Sequence, residues 1–207
     1  MAILNPERIG LFGGSFDPVH HGHLLLAQDA LEQLSLDRLV FVPAAINPHK
    51  LNSAPHASSE CRLAMLREAT RIQPRFSIDP QELERDGPSF TFDTVSDYSR
   101  KFAGARLFLL IGEDNLPKLH SWHEFEKLRE LVAFVSFGRG GAGEGPAAQA
   151  QLGKTEQPLA IERLNRKIDI SSTEIRTRVA KGLPIQYLVP ESVRLLIQTH
   201  ALYKHPV

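Results

Sequence analysis

Cysteine is nearly absent from this sequence, and so is any excess of charge of one sign. Its 207 residues contain a single cysteine, Cys61, which excludes an internal disulfide framework and any zinc site built from several cysteines. The 24 Lys and Arg are balanced by 24 Asp and Glu, whereas a dedicated nucleic-acid binder usually carries a clear basic excess. We therefore expect no nucleic-acid partner.

Long hydrophobic runs are also lacking. The longest, at residues 24–27, 107–111 and 131–137, fall far short of the ~20 residues that a membrane-spanning helix needs. The first residues, MAILNPERIG, do not show the basic and then apolar pattern of an export signal. The 42% hydrophobic content is that of an ordinary globular protein. We expect a soluble, cytoplasmic protein with no membrane partner.

Short apolar runs alternate with helical periodicity along most of the chain. Strands separated by helices of about 10–15 residues are typical of βαβ units, which require a parallel sheet with right-handed crossovers. We predict an α/β fold: a doubly wound, Rossmann-like parallel sheet with helices on both faces and a small C-terminal helical piece. At ~100–200 residues per domain, residues 1–207 are predicted to form one domain, with a core at about 8–170 and the helical piece at 171–207.

The individual elements follow from the same pattern. Predicted strands lie at residues 8–12, 38–42, 76–78, 106–111 and 131–137, with a further short strand at 82–85. The first predicted helix extends from about residue 24 to about residue 34. Further helices are predicted at 58–70, 92–102, 123–130, 171–181 and 191–203. Residues 43–57 and the glycine-rich residues 138–145 are predicted to be loops, the second of them mobile.

A segment rich in glycine and histidine follows the first predicted strand. In open α/β sheets, ligands bind beyond the carboxyl ends of the strands, so this segment enters the expected crevice. Glycines let the backbone approach a ligand closely, and a helix start offers unpaired N–H groups and a positive dipole end. His20 and His23 are three residues apart and lie on one face of a helix start. The pattern favours phosphate binding by Gly13, Gly14, Ser15, Phe16, His20 and His23.

Two other interpretations of this segment are open. Asp17, His20 and His23 have the composition of a metal site with two histidines and one carboxylate. Helical spacing places Asp17 poorly for that role, and a metal site would leave the glycines unexplained. A plain glycine turn with surface histidines is the other interpretation, and the density of glycine and histidine after a strand disfavours it.

A second helix start has the same character. Ser171 as N-cap and Glu174 three residues later form a capping box, which alone is structural. Here, three consecutive hydroxyl residues precede Arg176, and together they can form an anion site. Two such helix starts in one small protein indicate a polyphosphate held between them, and hence a nucleotide. The formal Gly-x-Gly-x-x-Gly at Gly138, Gly140 and Gly143 is discounted, because that fingerprint belongs in the first βα unit.

Residues 13–23 and 170–176 together resemble the paired signatures of the nucleotidylyltransferase superfamily, His-x-Gly-His and Ile-Ser-Ser-Thr-x-Ile-Arg. Within it, the chain resembles the bacterial nicotinate-nucleotide adenylyltransferases. Residues 42–50 resemble their Pro-Pro-His-Lys loop, with Asn47 for the first proline, and residues 87–94 resemble Gly-Pro-Ser-Tyr-Thr-x-Asp-Thr, with Phe90 for tyrosine. Residues 111–114 followed by Trp122 resemble a Gly-x-Asp…Trp stretch. The matches extend in order from about residue 9 to 203.

The resemblance implies a reaction and a set of site residues. ATP and nicotinate mononucleotide would give nicotinate adenine dinucleotide and pyrophosphate by direct in-line attack, with Mg²⁺ carried on the ATP phosphates. His20, His23 and Arg176 would be catalytic. ATP would be bound by Gly13, Gly14, Ser15, Phe16, His20, His23, Gly112, Asp114, Ile170, Ser171, Ser172, Thr173 and Arg176, and the nicotinate nucleotide by Lys50, Thr91, Trp122 and Arg139.

Alternatives remain open at this stage. The acceptor could instead be nicotinamide mononucleotide, which differs by one carboxylate, or phosphopantetheine, although the segments around Thr91 and Trp122 disfavour the latter. A nucleotide-binding module without catalysis is a further alternative. A homodimer is also open, with an edge strand or the C-terminal helices as its interface.

Overall fold

The structure is a computed structural model that describes residues 6–45, 55–85, 87–138, 161–164, 166 and 168–204. Its centre is a parallel sheet of six strands: β1 (Arg8–Gly14), β2 (Arg38–Pro43), β3 (Phe76–Ile78), β4 (Arg106–Gly112), β5 (Val132–Phe137) and β6 (Ile161–Arg163). The strand order is β3-β2-β1-β4-β5-β6, and every neighbouring pair is parallel. The order therefore reverses between β1 and β4, as in a doubly wound sheet, and the predicted fold class is confirmed.

Seven α-helices and one 3₁₀ helix accompany the strands in the described residues. The helices are α1 (His21–Gln33), α2 (Ser59–Thr70), α3 (Gln81–Glu84), α4 (Thr91–Lys101), α5 (Phe125–Leu131), α6 (Ser172–Ala180) and α7 (Glu191–Thr199), and the 3₁₀ helix spans Glu113–Ser121. The strand predicted at 82–85 is wrong, because these residues lie in and just after α3. Pro80 precedes that helix, and proline is well suited to the start of a helix.

Two other element boundaries differ from the sequence pattern. The last helix ends at Thr199 and does not continue to residue 203, because Ala201 and Tyr203 adopt left-handed backbone angles, with φ of 52° and 60°. β6 was not predicted, since its sequence, Ile-Glu-Arg, contains a single apolar residue and so gives no strand signal. The predicted loop at 138–145 lies outside the described residues from residue 139 onward.

The core consists of two hydrophobic clusters, one on each face of the sheet. Along β1, Ile9 and Leu11 belong to one cluster and Phe12 to the other, as expected because successive strand residues point to opposite faces. The cluster containing Phe12 also holds apolar residues of α1, α2, α6 and α7, and the other cluster holds those of α4 and α5. Helices therefore cover both faces, which explains strands that are apolar throughout.

The carboxyl ends of β1, β2 and β4 lie side by side. Gly14 pairs with Pro43, and Phe12 pairs with Leu110 of β4. Loops that leave these strands therefore meet at one edge of the sheet, next to the point where the strand order reverses. No helix among the described residues is long and apolar enough to cross a membrane.

Candidate active site

The loop after β1 brings two histidine rings together at the start of α1. His20, the residue before the helix, is 5% exposed. Its ring stacks on that of His23, with centroids 3.7 Å apart and planes 25° apart. The backbone N–H of His20 donates a hydrogen bond to Nδ1 of His23 across 3.3 Å. Because Nδ1 accepts, a neutral His23 ring carries its proton on Nε2 and offers a donor there.

Two glycines that flank this loop have different surroundings. A Cβ at Gly22 would lie 2.9 Å from Nδ1 of His20 and 3.0 Å from the Ile168 side chain, so any larger residue would displace the histidine pair. A Cβ at Gly13 would meet nothing within 4 Å. Open space therefore adjoins the backbone at the end of β1, as a ligand that contacts this backbone requires.

The second predicted anion site lies directly against the first. Ser171 caps α6, and its hydroxyl oxygen accepts the backbone N–H of Glu174 across 3.1 Å. The Ser172 hydroxyl donates to the carbonyl of Pro18 at 2.9 Å. Nη1 of Arg176 donates to the carbonyl of Asp17 at 2.8 Å, and its Nη2 donates to Thr173 Oγ1 at 3.3 Å. The starts of α1 and α6 are thus joined, although about 150 residues of chain separate them.

Asp17 is not available as a metal ligand. Its carboxylate is 3% exposed and accepts the backbone N–H groups of His56 at 2.7 Å and Ala57 at 3.1 Å. It also accepts the Tyr203 hydroxyl at 2.6 Å. The buried carboxylate is engaged by three donors, and no group of three or more His, Cys, Asp or Glu side chains among the described residues is placed to hold a metal. The alternative metal site of Asp17, His20 and His23 therefore has no support in the structure. Phosphate binding by this segment stays a prediction.

A buried arginine that the sequence pattern did not indicate also holds the loop after β1. Arg62 of α2 is 1% exposed, and its Nη1 donates to the carbonyls of Ser15 at 2.7 Å and Ala44 at 2.8 Å. Burial lowers the pKa of Arg62, and the nearby Asp17 carboxylate opposes that shift. An arginine stays charged in proteins, so Arg62 ties the loops after β1 and β2 together with charge-assisted bonds.

A cavity of about 450 Å³ opens beside the loop, between the sheet and α4. It contains two of the residues predicted to bind the nicotinate nucleotide, Thr91 and Trp122. Thr91 is the first residue of α4, where the backbone N–H groups lack partners within the helix. Gly13 and Gly14 also line the cavity, so it shares a wall with the loop after β1. Its remaining polar and aromatic lining is Glu82, Ser89, Phe90, Thr94, Asn115, Ser121 and His123.

The remaining predicted site residues lie either at the carboxyl edge of the sheet or outside the described residues. Gly112 ends β4, and Asp114 follows it in the 3₁₀ helix with an exposed side chain. Ile170, next to the cap of α6, packs against the core. Lys50 and Arg139 lie outside the described residues, so their predicted contacts with substrate stay predictions.

Glu82 is a buried carboxyl group inside the cavity wall. Its Oε1 accepts the Thr94 hydroxyl at 2.7 Å, and Nη1 of Arg85 donates to the same hydroxyl at 3.1 Å. Burial is the largest influence on Glu82 and raises its pKa above the ordinary value of 4.5, against the hydrogen bonds from Thr94 and Ser89 and the charge of Arg85. Glu82 was not predicted as a site residue, because residues 82–85 have too short a pattern to distinguish a helix from a strand.

This raised pKa predicts a pH effect on stability. Between pH 4.5 and the raised pKa, the folded state binds more protons at Glu82 than the unfolded state, so stability falls as pH rises through that range. The Glu82→Gln variant lacks this titrating group. We therefore expect its free energy of unfolding to increase, relative to that of the native protein, as pH rises. Urea unfolding at several pH values measures it. Glu84→Gln on the same helix, where the side chain is exposed, is the control, and an identical pH profile in both variants would contradict the assignment.

The fold, the joined helix starts and the cavity at the sheet edge define a nucleotide-binding α/β protein. Known proteins that resemble this chain belong to the same class. A family model described as cytidylyltransferase-like matches residues 11–178, so the chain belongs to that family. A solved structure of Plasmodium falciparum nicotinic acid mononucleotide adenylyltransferase complexed with NaAD has the same fold, with a TM-score of 0.75 at 20% identity over 97% of this chain and 98% of that chain.

Curated relatives narrow the family further. Bacillus subtilis nicotinate-nucleotide adenylyltransferase is 36% identical over 198 residues, covering 96% of this chain and 99% of that protein. A Gemmatimonas aurantiaca protein named "Probable nicotinate-nucleotide adenylyltransferase" is 44% identical over 201 residues, covering 95% of this chain and 92% of that protein. The chain therefore belongs, within the cytidylyltransferase-like family, to the nicotinate-nucleotide adenylyltransferases.

Proposed function

We propose that this protein transfers the adenylyl group of ATP to nicotinate mononucleotide, giving nicotinate adenine dinucleotide and pyrophosphate in NAD biosynthesis. The observation that carries the proposal is the joining of the two anion-type helix starts, through Arg176 and Ser172, next to a cavity that shares Gly13 and Gly14. The joined helix starts suit a triphosphate, and the cavity suits a flat ring. The family membership supports the same pair of substrates.

The reaction needs positioning and charge stabilisation more than acid–base chemistry. A phosphate monoester has a second pKa of ~6, so the phosphate of the acceptor nucleotide is mostly dianionic at neutral pH and needs no general base. One of its oxygens forms a bond to the α-phosphorus of ATP, and the bond from that phosphorus to the bridging oxygen breaks, releasing pyrophosphate. Two anions must therefore be held in line, and negative charge develops on the leaving group.

The proposed roles follow from where the donors lie. His23, through its Nε2–H, is assigned to the α-phosphate, together with His20. Arg176 and the start of α6, which presents Ser171, Ser172 and Thr173, are assigned to the β- and γ-phosphates. The N–H groups of a helix start and a guanidinium are both hydrogen-bond donors to phosphate oxygens. Their interactions with these oxygens become stronger as negative charge develops in the transition state. Asp114, exposed at the end of β4, is assigned to a ribose hydroxyl.

A magnesium ion is assigned to the phosphates of the substrate. Among the described residues, no group of three or more His, Cys, Asp or Glu side chains is placed to hold a metal. Mg²⁺ keeps several waters and is usually bound through substrate phosphates with one or two carboxylates. When bound on ATP, Mg²⁺ neutralises part of the phosphate charge. We propose that ATP brings it, without a dedicated protein cage.

In the cavity, α4 and the single tryptophan are assigned to the nicotinate nucleotide. The start of an 11-residue helix offers backbone N–H groups and, with the Thr91 hydroxyl, matches a carboxylate. Trp122 presents the large flat surface that stacks on an aromatic ring. Phe90 and His123 pack with ring centroids 4.5 Å apart and close the same side of the cavity.

The test offers three acceptors in parallel. Purified protein, ATP and Mg²⁺ are mixed with nicotinate mononucleotide, nicotinamide mononucleotide or phosphopantetheine, and pyrophosphate release and product mass are measured. We expect rapid turnover with the first acceptor. A preference for either of the others would replace the proposed acceptor, and binding of ATP without turnover of any acceptor would indicate a non-catalytic nucleotide-binding module.

Trp122→Ala is expected to raise the KM for nicotinate mononucleotide about tenfold, since stacking of a base on an aromatic residue contributes about 1–3 kcal/mol. The KM for ATP should change little, because the ATP phosphates are assigned to the loop after β1 and to α6. Steady-state kinetics with each substrate varied in turn measures both values. Trp122→Phe is the matched control and should keep most of the affinity. An unchanged KM for the pyridine nucleotide in the alanine variant would contradict the stacking role.

Three further properties stay predictions. The cytoplasm is proposed as the compartment, in keeping with a biosynthetic nucleotide transferase. The division into a core at about 8–170 and a C-terminal helical piece at 171–207 is kept, within one domain. A homodimer formed by an edge strand or the C-terminal helices is proposed as the assembly, and sedimentation of the purified protein tests it.

A further inference from the structure

Asp17 lies where three distant segments of the chain meet. Its Oδ2 accepts the backbone N–H of His56, in the segment before α2. Its Oδ1 accepts the backbone N–H of Ala57 and, at 2.6 Å, the hydroxyl of Tyr203, which is 186 residues away in the sequence. The carboxylate thus connects the loop after β1 to the start of α2 and to the last described turn of the chain.

The backbone of the same residue positions the phosphate-binding side chains. The Asp17 carbonyl accepts Nη1 of Arg176 at 2.8 Å, and the next carbonyl, of Pro18, accepts the Ser172 hydroxyl at 2.9 Å. His20, which stacks on His23, follows three residues later. A shift of the Asp17 side chain would therefore move its carbonyl, and with it the guanidinium of Arg176 and the start of α1.

Tyr203 is held in place for this contact. After α7 ends at Thr199, Ala201 and Tyr203 both adopt left-handed backbone angles, which side-chain-bearing residues seldom adopt unless the surrounding structure imposes them. The tyrosine is 8% exposed and belongs to the core cluster. Burial first, and then the charge and hydrogen bond of Asp17, raise the pKa of Tyr203 above its ordinary value, so its hydroxyl remains a donor.

We propose that Tyr203 is a positioning residue for adenylyl transfer, acting through Asp17 to hold the loop after β1, Arg176 and the histidine pair at the ATP phosphates. The proposal rests on the proposed function. The catalytic role is thereby extended to a residue of the C-terminal segment that does not line the cavity.

The test is Tyr203→Phe, which keeps the buried ring and removes only the hydroxyl. Misplacement of groups by less than an ångström lowers turnover strongly, so we expect kcat to fall about tenfold. The KM for nicotinate mononucleotide should stay within about twofold, since other residues line the cavity. Amide hydrogen exchange in residues 15–20 should also become faster, and this measurement does not depend on turnover.

Tyr98→Phe is the matched control. Tyr98 is 6% exposed, and its hydroxyl donates to the carboxylate of Asp79 at 2.7 Å. The variant therefore also loses a buried hydroxyl that donates to a carboxylate, but away from the loop after β1. We expect its kcat to match that of the native protein. Asp17→Asn, alone and combined with Tyr203→Phe, completes a double-mutant cycle, and the combined loss should be smaller than the product of the single losses.

The kcat values of these variants decide whether Tyr203 is a positioning residue. An unchanged kcat in Tyr203→Phe, or an equal loss in Tyr98→Phe, would overturn the positioning role, as would independent losses in the cycle. If the native protein releases no pyrophosphate with any acceptor, the proposed function fails and the positioning role fails with it. If the native protein is active and only Tyr203→Phe is slow, with faster exchange in residues 15–20, both proposals are supported.

Discussion

Replacing His23 with alanine is expected to lower kcat at least about a hundredfold, the scale for losing one donor that stabilises a transition state. His23 accepts the His20 N–H at Nδ1, so its neutral ring carries a proton on Nε2, the donor that we assign to the α-phosphate. Its ring packs against Phe16, with centroids 5.0 Å apart, but it is only partly buried, so the fold should survive. Pyrophosphate release at saturating substrates, with circular dichroism of the variant, measures the effect.

His21→Ala is the control for this prediction. His21 lies between the two histidines on the same helix, and its backbone contact to the carbonyl of Leu188 at 3.0 Å does not need the side chain. We expect its kcat to stay within a few-fold of the native value. Near-normal turnover in His23→Ala, or an equal loss in His21→Ala, would contradict the role of His23.

Replacing Arg176 with alanine is expected to lower kcat/KM for ATP about a hundredfold, because a charge-assisted donor to the phosphates is lost. The guanidinium is anchored by the carbonyl of Asp17 and by Thr173. Its buried Nε has no hydrogen-bond partner among the described residues. Arg176→Lys should restore the activity only in part, since an ammonium cannot keep both anchoring contacts and also reach the substrate.

Arg178→Ala separates this effect from a general loss of charge on α6. Arg178 lies two residues further on, and its Nε donates to the carbonyl of Pro184 at 2.9 Å, away from the loop after β1. Its loss should change kcat/KM for ATP by no more than about threefold, as expected for a surface residue. The assignment of Arg176 would be wrong if both variants lost activity equally, or if Arg176→Ala kept its affinity and turnover with ATP.

The sheet and the glycine- and histidine-rich loop after β1 were predictable because their signals are local. A strand that is apolar throughout, as at Leu107 to Ile111, is buried on both faces, and its neighbours are separated by helices that impose parallel pairing. The glycines and histidines of residues 13–23 are contiguous with the strand that positions them. The cap at Ser171 is likewise a property of four successive residues, and the structure confirms it.

The buried polar contacts behind the site were not predictable in this way. Arg62 and Tyr203 reach the loop after β1 from 47 and 186 residues away, and no sequence period indicates that such side chains will meet. Glu82 looked like part of a strand, because four residues are too few to separate a helix from a strand by periodicity. Phe90 and His123 come together only through the packing of α4 against the segment before α5.

We propose that one site holds the triphosphate between α1 and α6 and the pyridine ring in the adjoining cavity. A crystal structure of the protein with nicotinate adenine dinucleotide would show this arrangement. We expect the bridging phosphates within hydrogen-bond distance of His23 and close to Arg176, with the pyridine ring against Trp122 and its carboxylate at the start of α4. A dinucleotide whose phosphates lie away from the loop after β1, or whose pyridine ring lies outside the cavity, would contradict it.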